Sequence, residues 1–152
     1  QSQNETSFSH ETMEKVIQGI MGLEREQQKE LLTKISKNDD GLSSEIAANL
    51  LTVDSFIKFD SSLKDRILDQ YEDMDALIYC YYTYSDEDNT FITSSLTERK
   101  KKIFIEKKHM IQTPSAADIK ESQDKFLQFI ADFCKKNEID LRELLKNIHK
   151  SQ

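Results

Sequence analysis

The chain has 152 residues, only three of them Gly and one Pro, with 37% apolar residues and a formal net charge of −7. That length supports one core, the scarcity of turn formers excludes a sandwich or barrel of many short strands, and the apolar share is too high for a disordered chain. The negative balance argues against nucleic acid as a partner, and no segment has the roughly eighteen consecutive apolar residues of a spanning helix, so integral membrane association is excluded.

Residues 1–8 are polar and aperiodic, and read as a flexible leader before a single helical domain over 9–150. Within the leader, Asn4-Glu5-Thr6 matches the N-glycosylation acceptor pattern. Together with Gln1 in place of an initiating Met, it leads to the expectation of a processed, secreted protein. Met13, Val16, Ile17, Ile20 and Met21 then follow the spacing of one helix face, with Ser9 as N-cap and Gly22 as stop. A second, highly charged helix over Leu23–Lys37 ends at Asn38-Asp39-Asp40-Gly41, and Ser43 or Ser44 caps a third through Leu51. Asp54–Phe59 reads as a short continuation or bend.

Ser62 opens a long central helix whose stripe, Leu63, Ile67, Tyr71, Met74, Ile78 and Tyr81, runs about five turns. The acidic stretch Ser85–Ser94 reads as the longest loop, and Ser95 with Glu98 forms a capping-box spacing ahead of a helix through Met110. Thr113-Pro114 ends it, Ser115 with Asp118 starts the next, and Asp140 with Glu143 caps the last. The predicted fold is all-α, a single compact bundle of about six to eight amphipathic helices. Asp54-Ser55-Phe56-Ile57-Lys58-Phe59 and Asp124-Lys125-Phe126-Leu127-Gln128-Phe129 share one form, and the segments at Leu23-Glu24-Arg25 and Leu96-Thr97-Glu98-Arg99 are similarly offset. Two duplicated units sharing the central helix would explain both, and chance likeness between apolar helices explains them as well.

No catalytic constellation is present: His10, His109 and His149 lie on separate polar stretches, and the chain has no nucleophile elbow or phosphate loop. No enzyme activity, cofactor or metal is therefore expected. Asp86–Asn89 offers oxygen ligands for calcium, but Phe91 and Thr97 stand where an EF-hand loop needs Gly and Glu. Arg99-Lys100-Lys101-Lys102 with Lys107 and Lys108 is the basic concentration, read as a solvated helix end. Cys80 and Cys134, 54 positions apart, would form a disulfide in an oxidising compartment and remain buried thiols in a reducing one. Ile17, Ile20, Tyr71, Met74, Ile78, Tyr81, Phe104, Phe126, Ile130 and Phe133 are the candidate lining of an apolar ligand site, and a filled core uses the same residues.

Leu23-Glu24-Arg25-Glu26-Gln27-Gln28-Lys29-Glu30-Leu31-Leu32 and Phe129-Ile130-Ala131-Asp132-Phe133-Cys134-Lys135-Lys136 resemble two segments of the nematode polyprotein antigens and allergens. Gly22 stands where that family's pattern has Trp. The resemblance implies a secreted, noncatalytic carrier of fatty acids or retinoids, with an apolar small molecule as its partner. The alternative function is a helical module that binds another protein, an effector or regulatory domain using an exposed helix groove.

Overall fold

The computed structural model describes residues 9–150, so the leader and Asn4 lie outside the described residues. Every regular element among them is a helix, as predicted, but there are ten: α1 (His10–Met21), α2 (Arg25–Asn38), α3 (Asp40–Ala47), α4 (Val53–Ile57), α5 (Ser61–Gln70), α6 (Met74–Cys80), α7 (Asp86–Thr93), α8 (Glu98–Met110), α9 (Ala116–Lys136) and α10 (Leu141–Lys150). The helices open on side-chain caps. Ser9, Asp39, Asp73, Ser85, Thr97 and Ser115 each accept from a backbone N–H two or three places into the helix that follows.

Those caps account for most departures from the predicted elements. Asp39 outcompetes the breaker at Gly41: its carboxylate accepts from Leu42 N at 3.0 Å, so α3 begins at Asp40 with the glycine inside its first turn. Asp73 accepts from Ala76 N at 3.0 Å and Tyr71 turns extended, so the expected central helix breaks into α5 and α6. The acidic stretch expected as a loop is α7, where Asp86, Glu87 and Asp88 face the positive end of the helix dipole behind the Ser85 cap.

With few glycines available, side-chain donors satisfy the orphan carbonyls at the helix ends. The Gln28 amide donates to Ile20 O, Asn38 to Lys34 O, Asn49 to Glu45 O, Asn137 to Phe133 O, and Asn89 to Tyr81 O. The Lys64 ammonium, buried, donates to Ile57 O at 3.0 Å and lies 5.5 Å from the Phe91 ring centre. At the end of α9 backbone bonds join the Asn137 amide: Glu138 N donates to Lys135 O and Ile139 N to Cys134 O, with Glu138 at φ 57°. That left-handed position is one where glycine avoids a Cβ cost. Glu138→Gly should therefore raise stability by about 0.5–1 kcal/mol, read as a higher urea midpoint at unchanged m-value.

The chain divides into two compact units where one bundle was expected. The discontinuous unit comprises Gln1–Thr52 and Arg142–Gln152. Its core is small, with Met13, Ile20, Ile46 and Leu50 buried and Val16, Ile17, Leu31, Leu32, Ile35 and Leu42 packed part-buried against them. α2 lies along α3, and Arg142 of α10 pairs with Glu45. The continuous unit, Val53–Leu141, is built on α6, which packs against both α8 and α9. Its aromatic cluster runs Phe59, Phe56, Phe126, Tyr71, Phe129, with consecutive ring centres 4.8–5.3 Å apart. The Tyr81 hydroxyl, fully buried, donates to Val53 O at 2.7 Å and ties α4 to the end of α6.

The duplication reading separates here. Leu23-Glu24-Arg25 and Leu96–Arg99 do occupy like positions, each leading into a helix start. The two Asp-x-Phe-aliphatic-x-Phe segments do not: the first spans the five-residue α4 and its exit turn, and the second lies inside the 21-residue α9.

Candidate functional site

Helix α8 supplies a lysine that the fold buries against three backbone carbonyls. Its basic run follows the Thr97 cap, and 3.6 residues per turn spread that run around the helix axis. Lys100 falls on the inward side with Phe104, both almost fully buried. Its ammonium donates to Leu68 O at 2.9 Å, Asp69 O at 2.7 Å and Tyr71 O at 3.0 Å, and meets the exposed Glu72 carboxylate at 2.8 Å. Lys100 thus caps the C-terminus of α5, where the helix dipole concentrates negative potential, and fixes α8 against the α5–α6 turn. The sequence reading placed the whole basic run in solvent; the structure corrects this at Lys100. The overlooked signal is its register: Lys100 lies four residues from both Leu96 and Phe104 on one helical stripe.

The α5–α6 turn collects charge from three directions. Besides Glu72 with Lys100, Asp75 meets Lys107 of α8 at 3.0 Å, and Asp73 meets Lys125 of α9 at 2.7 Å. Glu72, Asp73, Met74, Asp75, Arg99, Lys100, Ile103 and Lys107 line a partly open groove between these elements. The hydrogen bond from Lys100 holds the Glu72 carboxyl below its usual range, and that from Lys125 does the same for Asp73 against an opposing cost of burial. In return Asp73 raises the ammonium of Lys125.

Because the folded-state pKa of Asp73 is depressed, its contribution is full above the unfolded value of about 3.9 and is lost as pH falls through the lower folded value. Asp73→Asn, which keeps a capping oxygen, should lower stability at pH 7 and lower it less at pH 3. Urea titrations at both pH values check this.

The ten side chains named as a ligand lining divide between the two units. Ile17 and Ile20 belong to the core of the discontinuous unit, Ile17 part-buried. Tyr71, Met74, Ile78, Tyr81, Phe104, Phe126, Ile130 and Phe133 are buried in the continuous unit, where Tyr71 and Phe126 stack on neighbouring rings. Cys80 and Cys134 are both buried as free thiols, not joined. Cys80 Sγ donates to Ser122 O at 3.3 Å, and Cys134 lies twelve residues further along α9, about 18 Å of helix. A disulfide needs Cα atoms within about 7 Å. Burial pushes both thiols up from their ordinary range.

His10 pairs with Glu14 at 3.0 Å on the surface of α1, His109 is exposed on α8, and His149 is part-buried beside Leu32 and Ser43 in the discontinuous unit. Among the described residues no three His, Cys, Asp or Glu side chains are grouped to hold a metal. No helix among them is long and apolar enough to cross a membrane.

The model of the FliG C-terminal domain matches residues 33–141. Among solved structures, full-length FliG from Aquifex aeolicus superposes with a TM-score of 0.52 at 17% identity, covering 85% of this chain and 40% of that one. A FliG fragment from H. pylori superposes at 0.57 and 18% identity, covering 93% and 60%. The chain therefore spans about two fifths and three fifths of those two proteins. No curated protein matches it. The family match overturns the likeness to the nematode polyprotein antigens, which rested on two short helical segments rich in Glu, Lys and Leu. With that likeness go the secreted carrier, the fatty acid or retinoid, and the apolar small molecule as principal partner.

Proposed function

The chain belongs to the FliG C-terminal domain family, and from that premise we propose that it is a noncatalytic, protein-binding part of a flagellar motor switch, on the cytoplasmic side of the motor. The match over residues 33–141 carries the reading, because it takes in parts of both units and the entire charged turn between α5 and α6. The physical chemistry agrees with it. Ionisable side chains at the candidate site are spent on pairing helices to one another, and the groove they line is partly open. Such a surface suits a large partner that brings its own side chains, rather than a small molecule that must be enclosed.

Of the two functions weighed from the sequence, this one continues the protein-binding module. Its partners would be other flagellar motor proteins, the stator among them. Purified switch-ring and stator cytoplasmic segments should each be tested against the folded chain by sedimentation and calorimetry. Saturable binding of at least one is expected. Failure of all of them to bind a chain with its native helical spectrum would sink the reading.

A further inference from the structure

We infer that α10 is a detachable cover: it lies in cis on a face of α2 and α3 and shields that face from an amphipathic helix of a partner protein. The inference rests on the reading of the chain as a protein-binding module. The two ends of α10 show where it lies. Arg142 in its first turn pairs with Glu45 of α3, and His149 in its last turn borders a cleft of about 400 Å³ with Leu32, Ser36 and Lys37 of α2 and Ser43 of α3. Arg142, Leu145 and His149 fall three and four places apart on one helical stripe, so the buried Leu145 sits between those two contacts. Leu144 and Ile148, on the adjoining stripe, are part-buried.

Two features make this helix a cover and not a wall of the core. The buried core of the discontinuous unit, Met13, Ile20, Ile46 and Leu50 with the aliphatic side chains packed against them, is drawn wholly from residues 13–50. Among its described residues α10 adds one buried side chain, Leu145, and an element with so little buried apolar area opens more easily than its surroundings. The second feature is the joint. α9 closes on its own carbonyls, through the Asn137 amide to Phe133 O, Glu138 N to Lys135 O and Ile139 N to Cys134 O. α10 can therefore leave about Ile139 and Asp140 without unwinding α9.

The contacts that hold α10 define what replaces it. At one end of the contact α3 offers the carboxylate of Glu45, and at the other α2 offers the half-buried Leu32. A helix with aliphatic side chains three and four places apart and a cation in its first turn meets both. α10 carries that pattern as Leu141, Leu144, Leu145 and Ile148 with Arg142. Being tethered, α10 competes at high effective concentration, so a partner displaces it only with a longer or better-packed stripe. A bilayer is the poorer destination for a released α10, because a chain of net charge −7 is repelled by an anionic surface.

The test uses the full chain, with a fluorescent peptide of the α10 sequence standing for the partner's helix. In the unmodified chain, hydrogen exchange should be at least about tenfold faster in α10 than in α2 and α3. Leu145→Ser should strip protection from α10 alone, leave α1, α2 and α3 protected, and tighten binding of the peptide by roughly tenfold. On that variant a peptide with Glu in place of Arg142 should bind several-fold more weakly, and adding Glu45→Arg should restore its binding. Loss of protection throughout α1, α2 and α3 would make α10 part of the core and overturn the inference. Equal peptide binding by the two chains, no binding by either, preference of the variant for phosphatidylglycerol vesicles, or a sedimenting dimer that keeps α10 protected by exchanging it between copies would overturn it as well. If the unmodified chain still bound motor proteins in any of those cases, the motor reading would stand with α10 as a fixed part. Absence of motor-protein binding would instead remove that reading, whatever the peptide did.

Discussion

Lys100→Met should destabilise the continuous unit by about 2–4 kcal/mol. The substitution keeps the aliphatic stem in place but deletes the ammonium on which three backbone carbonyls converge. Tyr71 O is met in the buried part of this contact, and a buried acceptor left without a donor costs roughly 1–3 kcal/mol; Leu68 O loses its shorter bond and keeps the one from Tyr71 N at 3.3 Å. The exposed Glu72 adds little of its own, since its carboxylate returns to water. All five tyrosines, Tyr71 to Tyr84, lie in the continuous unit, and the chain has no Trp, so tyrosine fluorescence in urea follows this unit specifically. Lys102→Met, two residues on and exposed, serves as control and should change stability by less than about 0.5 kcal/mol. Equal effects at the two positions would show that Lys100 is not the cap of α5.

Phe126→Ala should cost a similar amount, about 3–5 kcal/mol, for a different reason. The ring is fully buried, 5.0 Å from Phe56 and 4.9 Å from Tyr71 between centres, and its loss leaves a cavity bounded by α4, α9 and the α5–α6 turn. Close packing keeps such a void from collapsing completely. Phe126→Leu should cost clearly less, because it restores most of the volume. Phe129→Ala is the informative comparison: its ring touches Tyr71 at 4.8 Å but is only part-buried, so its deletion should lie below that of Phe126. A reversed order would place the centre of the core elsewhere.

Much of the fold was legible because local chemistry decided it. The Ser9 and Ser115 caps, the Pro114 stop and the start of the last helix stand where apolar periodicity and capping residues placed them. What escaped was decided by competition between neighbours. Asp73 is acidic and sits inside an unbroken apolar stripe, and nothing in the stripe reveals that its carboxylate will cap a new helix and meet Lys125, 52 positions away. Asp86–Asn89 carries the composition of a loop, yet Ser85 and the dipole turn the same charges into a helix start. The division into two units has no glycine- or proline-rich linker to announce it.

The candidate site was less legible than the fold. The basic run on α8 was visible in the sequence, but Lys100 looked like its neighbours, because which lysine of a run turns inward depends on where the C-terminus of α5 lies in space. The aromatic and aliphatic side chains chosen as a ligand lining were real core residues. Periodicity could not tell a filled core from a lined cavity. The resemblance drawn from two charged helical segments failed for a related reason: solvated helix faces rich in Glu, Lys and Leu are built alike in unrelated proteins.

The assignment to a flagellar motor switch is tested most directly by isolating basal bodies from the cells that make this chain, with the chain carrying a small epitope tag. The account predicts that it copurifies with the rotor ring and is released together with the other switch proteins. A tagged, folded and abundant chain recovered entirely apart from intact basal bodies would contradict it.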